Sequence, residues 1–270
     1  MRLRLISNLL SPPNPNPKMY HPMKILRAAL AALTLGAAIP SDLNAAERRF
    51  TYSYETTTMP AGAWEFELWS TWKNYANRDR FEFRHELEYG ITDNLQVGFY
   101  LSDWRLTNPD EGETEVEWRT AGAELIYSMS DPVKDILGSA LYGEFLIGPE
   151  KFALEGKLLL QKNFGPLALV YNFVLEAEWE GADYEEKVGV IENTAGISYQ
   201  ISPNFLIGAE VLHEVEFAEW EEAGDNVLYV GPNVSFRKGS FFTTVTGLFQ
   251  VTGVDGEPEQ QVRMLAGFHF

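Results

Sequence analysis

The chain contains no cysteine among its 270 residues. Disulfides, thiolate metal sites and thiol nucleophiles are therefore excluded. No run of about eighteen apolar residues occurs, so no transmembrane helix is expected. Bases are scarce, at 21 against 39 acids. Residues 1–46 hold five of those bases and one acid, which leaves 38 acids against 16 bases and a net charge near −22 beyond them. That balance argues against nucleic acid as a partner. Histidine is rare too: after residue 46 only His85, His213 and His269 occur. A hydroxyl nucleophile needs a positioned His, and no Ser stands convincingly beside one here. An enzyme is not expected.

The front of the chain carries a different pattern. Ser11 to Pro17 reads S-P-P-N-P-N-P, which supports neither helix nor ladder. From Met23, Lys24 and Arg27 precede an apolar stretch over Ala28–Ile39 and small residues at Asn44-Ala45-Ala46. This is the order of a secretory signal peptide. The expected organisation is a non-native extension over 1–22 and a signal peptide over 23–46. A periplasmic segment over 47–63, with a brief alternation at Arg48–Tyr54, and a barrel over 64–270 follow. Whether 47–63 approaches from the periplasm or enters the barrel mouth stays open.

From Trp64 the apolar residues alternate with polar ones, and the period of two predicts strands. Twelve are predicted: 64–75, 80–89, 95–104, 115–129, 136–147, 152–163, 167–179, 187–199, 205–217, 227–236, 241–251 and 260–270. The fourth slips phase over Arg119–Gly122, which predicts a bulge. Connections after even-numbered strands are rich in Gly, Pro, Asn, Asp and Ser, as in Gly165-Pro166 and Ser202-Pro203-Asn204. Those after strands one, three, seven, nine and eleven are more charged, as in Thr107–Glu113, Glu180–Glu186, Ala218–Asp225 and Gly253–Glu259. Short turns on one side and longer loops on the other fit an outer-membrane barrel. Aromatics near strand ends, including Trp64, Trp69, Trp72, Tyr75, Trp104, Trp179 and Trp220, read as interfacial girdles.

The last strand places Val262, Met264, Ala266, Phe268 and Phe270 on one wholly apolar face. The terminal Phe with this alternation resembles the assembly signal of bacterial outer-membrane barrels, carried here by Phe268 and Phe270. The fold class expected is all-β: one transmembrane antiparallel up-and-down barrel of about twelve strands. The hairpin Glu86–Gly98, with Gly90-Ile91-Thr92-Asp93-Asn94 at its turn, is similar to hairpins of outer-membrane transporters. Residues Glu55–Glu65, with Met59-Pro60-Ala61-Gly62-Ala63-Trp64, resemble the start of proteins grouped with the MetA pathway of phenol degradation. That resemblance implies an uptake channel for small organic compounds and supplies no catalytic signature.

If the aromatic face meets lipid, the charged face lines the lumen. A charge on the lipid face near the midplane costs roughly 2–4 kcal/mol. The inward set is Glu65, Glu67, Glu82, Glu86, Glu88, Glu124, Glu144, Glu155, Glu176, Glu178, Glu192, Glu210, Glu214 and Glu216, with Lys73, Arg84, Lys157 and Arg263. Acids outnumber bases about three to one in that set, so pairing cannot neutralise them all. The expectation is an outer-membrane channel or passive transporter for a small solute, with an acidic, cation-favouring lumen. The alternatives are a plugged barrel with a structural or binding role and, further off, a lipid-modifying enzyme. The expected partners are outer-membrane lipid and the barrel-assembly machinery. No cofactor is expected, and no metal: the loop acids Glu219, Glu221, Glu222 and Asp225 lack calcium-loop spacing.

Overall fold

The structure, a computed structural model, describes residues 48–270. The extension and signal peptide read over 1–46 lie outside the described residues. The chain forms β1 (Trp64–Tyr75), β2 (Arg78–Thr92), β3 (Leu95–Pro109), β4 (Glu115–Trp118), β5 (Ala121–Ser130), β6 (Gly138–Ile147) and β7 (Lys151–Phe164). It continues with β8 (Leu167–Glu180), β9 (Glu186–Gln200), β10 (Phe205–Ala218), β11 (Glu222–Ala223), β12 (Val227–Lys238), β13 (Phe241–Gln250) and β14 (Gln260–His269). Two of these are short: β4 extends the line of β5 along β3, and β11 folds back on β10. The other twelve make a closed antiparallel barrel, with each strand paired to its sequence neighbours and β14 paired to β1. Closure leaves no edge to be satisfied in lipid. The seam is continuous to its end, where Trp64 and Phe270 exchange backbone hydrogen bonds of 3.0 and 2.8 Å.

The twelve strands run ten to fifteen residues. About nine to eleven suffice to cross the hydrocarbon when tilted. Outward positions are predominantly apolar, with Ser70, His85, Asn193 and His213 among the exceptions. Leu125 and Tyr127 on β5, Leu141 and Phe145 on β6, Leu169 to Leu175 in alternation on β8, and Ile197 and Tyr199 on β9 all stand exposed. A water-soluble sandwich would bury these residues, whereas a barrel presents them to lipid.

Several sequence expectations need correction. The predicted fourth strand does not merely bulge: it breaks at Arg119–Thr120, where Arg119 N–H and Thr120 C=O both bond to Asp103 on β3 at 2.8 Å. Ile136 belongs to the turn before β6, not to the strand. The loop side is also less uniform than its charges suggest, since 76–77 and 148–150 are as tight as turns. Trp69 and Tyr75 are not girdle residues. They share the inward phase of Glu65 and Glu67 on β1 and are buried inside the barrel.

Candidate functional site

The lumen is built from the inward phase of every strand. Glu67, Glu86, Tyr100, Glu124, Ala140, Leu159, Asn172, Thr194, Glu210, Asn233, Thr246 and Leu265 come one from each of the twelve strands in turn. Each is at most 6% exposed. A full circuit of buried inward side chains means that the barrel is filled at this level. Part of the filling is side chain, as in the cluster of Tyr54, Trp69, Ile126, Ala140, Tyr142, Leu159, Phe242 and Leu265. The rest is the N-terminal segment.

Residues 48–59 thread the lumen from the turn end. The segment leaves the barrel beside the β2–β3 turn, where Thr58 Oγ1 donates to Asp93 C=O at 3.0 Å. Within the barrel its backbone cannot reach water, so side chains of the wall must satisfy it. The Glu210 carboxylate accepts the backbone N–H groups of Thr51, Tyr52 and Ser53 at 2.9, 2.8 and 2.9 Å. Three successive N–H groups on one anion form a concave cradle of partial positive charge. Thr246 and Asn233 donate to the same carboxylate at 2.6 and 3.2 Å. Asn172 accepts from Tyr54 N–H at 2.6 Å and donates to Tyr54 C=O at 3.0 Å. Gln161 and Gln96 accept the N–H groups of Thr56 and Met59 at 2.8 Å each. Phe50 lies where a Cβ on Gly196 would stand, 2.5 Å from the ring, so glycine on β9 makes room for it.

Arg48 anchors the segment electrostatically. Its guanidinium bonds Glu67 at 2.8 Å and Glu88 at 2.6 Å and stacks 5.0 Å from the Tyr54 ring centroid. Trp69 Nε1 donates to the same Glu67 at 2.9 Å. Arg263 sits 4.0 Å over the Tyr52 ring and donates to Thr51 C=O at 3.2 Å.

Beyond this packed zone, toward the loop end, a cavity of about 580 Å³ remains. Glu82, Arg84, Glu144, Glu155, Lys157, Glu176, Glu178, Glu192, Glu214 and Arg263 line it, as do Lys73 and Glu216. Glu65, Glu67, Glu86, Glu88 and Glu210 do not. They face inward but are buried in the filled zone. The predicted lumen set thus divides into a cavity group and a packed group. Glu124 joins the packed group, with Tyr100 donating to it and the Tyr142 hydroxyl 2.8 Å from that of Tyr100.

The cavity is less acidic than the sequence suggests. Among the described residues, eleven carboxylates and nine cationic side chains line it. Sequence reading missed Arg78, Arg80, Arg105, Arg119 and Lys151. The charges segregate: Lys73, Arg78, Arg80, Arg84, Arg105 and Arg119 stand on the wall from β1 to β5. Glu155, Glu176, Glu178, Glu192, Glu214 and Glu216 stand opposite on β7 to β10. The basic wall is largely paired. Arg84 makes a two-bonded fork with Asp103 at 2.9 Å, and Lys73 pairs Glu82 at 3.2 Å. On the acidic wall Lys157 pairs Glu155 at 2.9 Å, and Lys151 bonds Glu178. Glu192 and Glu214 face each other across β9 and β10, and neither forms an ion pair among the described residues.

The histidines need one revision. Ser102 does stand beside a histidine, with Oγ 3.2 Å from His85 Nδ1. The β3 register shift opposite His85 and Glu86 brings it there. No carboxylate is hydrogen-bonded or ion-paired to His85 among the described residues, so the orienting group of a triad is missing. His269 lies inward against Glu65.

A closed barrel with an apolar outer face and a charged interior defines a transmembrane β-barrel of porin-like fold. The chain belongs to a family of unknown function, DUF6662, whose model matches residues 42–265. The resemblance to phenol-degradation proteins rested on turn chemistry, and the family match does not extend it. Among solved structures the NanC porin is 9% identical over 75% of this chain and 98% of its own, with a TM-score of 0.51. The KdgM porin is 10% identical over 76% and 98%, at 0.47. The translocator domain of the autotransporter NalP from Neisseria meningitidis is 10% identical over 92% and 95%, at 0.48. No curated protein matches the sequence.

Proposed function

We propose that the protein is a passive outer-membrane channel for small polar solutes, held closed by its own residues 48–59. The observation that carries this reading is the complete circuit of buried inward residues around a segment bound through wall side chains. A purely structural barrel needs no cavity beyond its filling. Here a charged cavity opens above the plug on the acidic-loop side, which by the outer-membrane convention faces outward. Withdrawal of the segment takes Arg48 and Arg49 out of the lumen and uncovers Glu65, Glu67, Glu86, Glu88, Glu124 and Glu210. The open path then carries a large excess of carboxylates and favours cations.

Liposome swelling tests the reading. Vesicles holding the intact chain should swell slowly in small sugars and amino acids. Those holding a variant lacking residues 48–59 should swell quickly. Equal rates for both chains would refute the closed-channel reading.

A further inference from the structure

We propose that the filled zone of the barrel holds a hard divalent cation, calcium by its ligand chemistry, between Glu86, Glu88 and Glu124. Glu86 and Glu88 occupy successive inward positions on β2. Gly98 on β3 pairs with Glu88 on one side and with Glu124 of β5 on the other. One carboxylate oxygen from each of the three glutamates lies within 4.8 Å of the others. All three side chains are essentially inaccessible to solvent.

The cluster alone would be only an acidic patch, but its hydrogen bonding is incomplete in a specific way. Glu88 is served by Arg48 at 2.6 Å and by Gln96 at 2.7 Å. Glu124 receives Tyr100 on one oxygen. Both oxygens of Glu86, and Oε1 of Glu124, accept no hydrogen bond among the described residues although Glu86 is wholly buried. A buried carboxylate is stable when paired, hydrogen-bonded or bound to a metal. One oxygen of Glu86 and one of Glu124 lie within 4.8 Å of each other and of a Glu88 oxygen.

Charge points the same way. A second triple, Glu65, Glu67 and Glu88, shares Glu88 with the first. Among the described residues, Arg48 and His269 are the cationic or ionisable side chains paired with these five acids. One guanidinium and one imidazole do not neutralise five carboxylates. Space is also provided. A Cβ on Gly98 would stand 2.6 Å from Glu86 Oε1 and 2.7 Å from Glu124 Cγ, so only glycine lets the carboxylates meet over bare backbone.

The donors are all oxygen, which selects a hard cation. Magnesium keeps an octahedral shell with several waters, whereas calcium accepts irregular and bidentate carboxylate sets. The ion would join β2 to β5 across β3. Through Glu88 it also touches the Arg48 anchor of the plug. The proposal holds whether or not the barrel conducts.

The test uses the full chain refolded in detergent with calcium, then desalted and analysed by mass spectrometry for metal. About one tightly held calcium per chain is expected. The double variant Glu86→Gln, Glu124→Gln should fall to background while its unboiled gel mobility still reports a folded barrel. Terbium should luminesce on excitation through Tyr100 in the parent and be displaced by calcium. If the double variant does not fold, Glu86→Gln alone should cut terbium emission at least tenfold. Equal metal in parent and variant would overturn the site. So would a metal-free parent with an infrared band of protonated carboxyl that disappears in Glu86→Gln, because protons would then neutralise the cluster.

Discussion

Glu210 on β10 accepts the backbone N–H of Tyr52 at 2.8 Å, across 158 residues of sequence. With the bonds to Thr51 and Ser53 on the same carboxylate, this is the densest attachment of the N-terminal segment to the wall. Replacing Glu210 by Ala strands three N–H groups in the lumen, each costing roughly 1–3 kcal/mol if water cannot reach it. Glu210→Ala should therefore release the segment while the barrel persists. Amide exchange at residues 51–53 should rise by orders of magnitude. Glu210→Gln, which keeps one acceptor oxygen, should show a smaller rise. Protection equal to the parent in both variants would mean that the segment is held elsewhere.

Arg48 is a second anchor, and a buried one. Removing one member of a buried ion pair costs about 3–5 kcal/mol, because the remaining charge stays uncompensated. Arg48→Met should lower the temperature at which the folded gel band is lost. Lys134→Ala is the control. Lys134 pairs Asp131 at 3.0 Å but is 83% exposed. An exposed pair contributes about 0–1 kcal/mol. Equal melting of the two variants would remove Arg48 from its assigned role.

The β5–β6 turn supplies a pH test outside the membrane-spanning wall. The backbone N–H groups of Lys134 and Val133 bond the Asp131 carboxylate at 3.0 and 2.8 Å, and the Lys134 ammonium lies beside it. Together they pull its pKa down to about 2. The folded value lies below the unfolded one, so this contribution to turn stability is fully present above the ordinary aspartate range. It fades as pH falls from near 3.8 toward 2. A carboxyl-carbon titration of Asp131 by NMR should show a midpoint near 2. A midpoint near 4 would mean that the turn is open in solution.

Phe270 ends the seam, and Phe268 packs 5.0 Å from Phe241 on the outer face. If the two form an assembly signal, deletion of Phe270 should sharply reduce barrel inserted in cells. Barrel refolded in detergent should lose only the two rim hydrogen bonds with Trp64, about 1–3 kcal/mol in all. Normal insertion of the truncated chain in cells would contradict the signal.

The wall was readable from sequence because side-chain direction alternates with period two. Every predicted inward glutamate does face inward, from Glu65 on β1 to Glu214 on β10. The basic wall of the cavity was readable only at Lys73 and Arg84. Arg78 and Arg105, and Lys151 on the acidic wall, lie one or two residues beyond the predicted strand ends, where alternation gives no warning of a continuing strand. The plug was not readable either. Residues 48–59 have no sustained period, and their backbone bonds end on scattered side chains of β3, β7, β8 and β10. A trace did exist in the inward amides Gln96, Gln161, Asn172 and Asn233. Buried amides in a lumen require partners, and an extended segment supplies both N–H and C=O groups.

Whether residues 48–59 close an otherwise conducting barrel is decided by planar-bilayer recording of the intact chain beside a variant lacking those residues. The intact chain should insert with little or no steady conductance. The shortened chain should conduct, with reversal potentials in a salt gradient favouring cations. Changing Glu210 and Glu214 to Gln in that background should reduce the preference. Equal steady conductance from both chains, or silence from both over many insertions of folded protein, would contradict the claim.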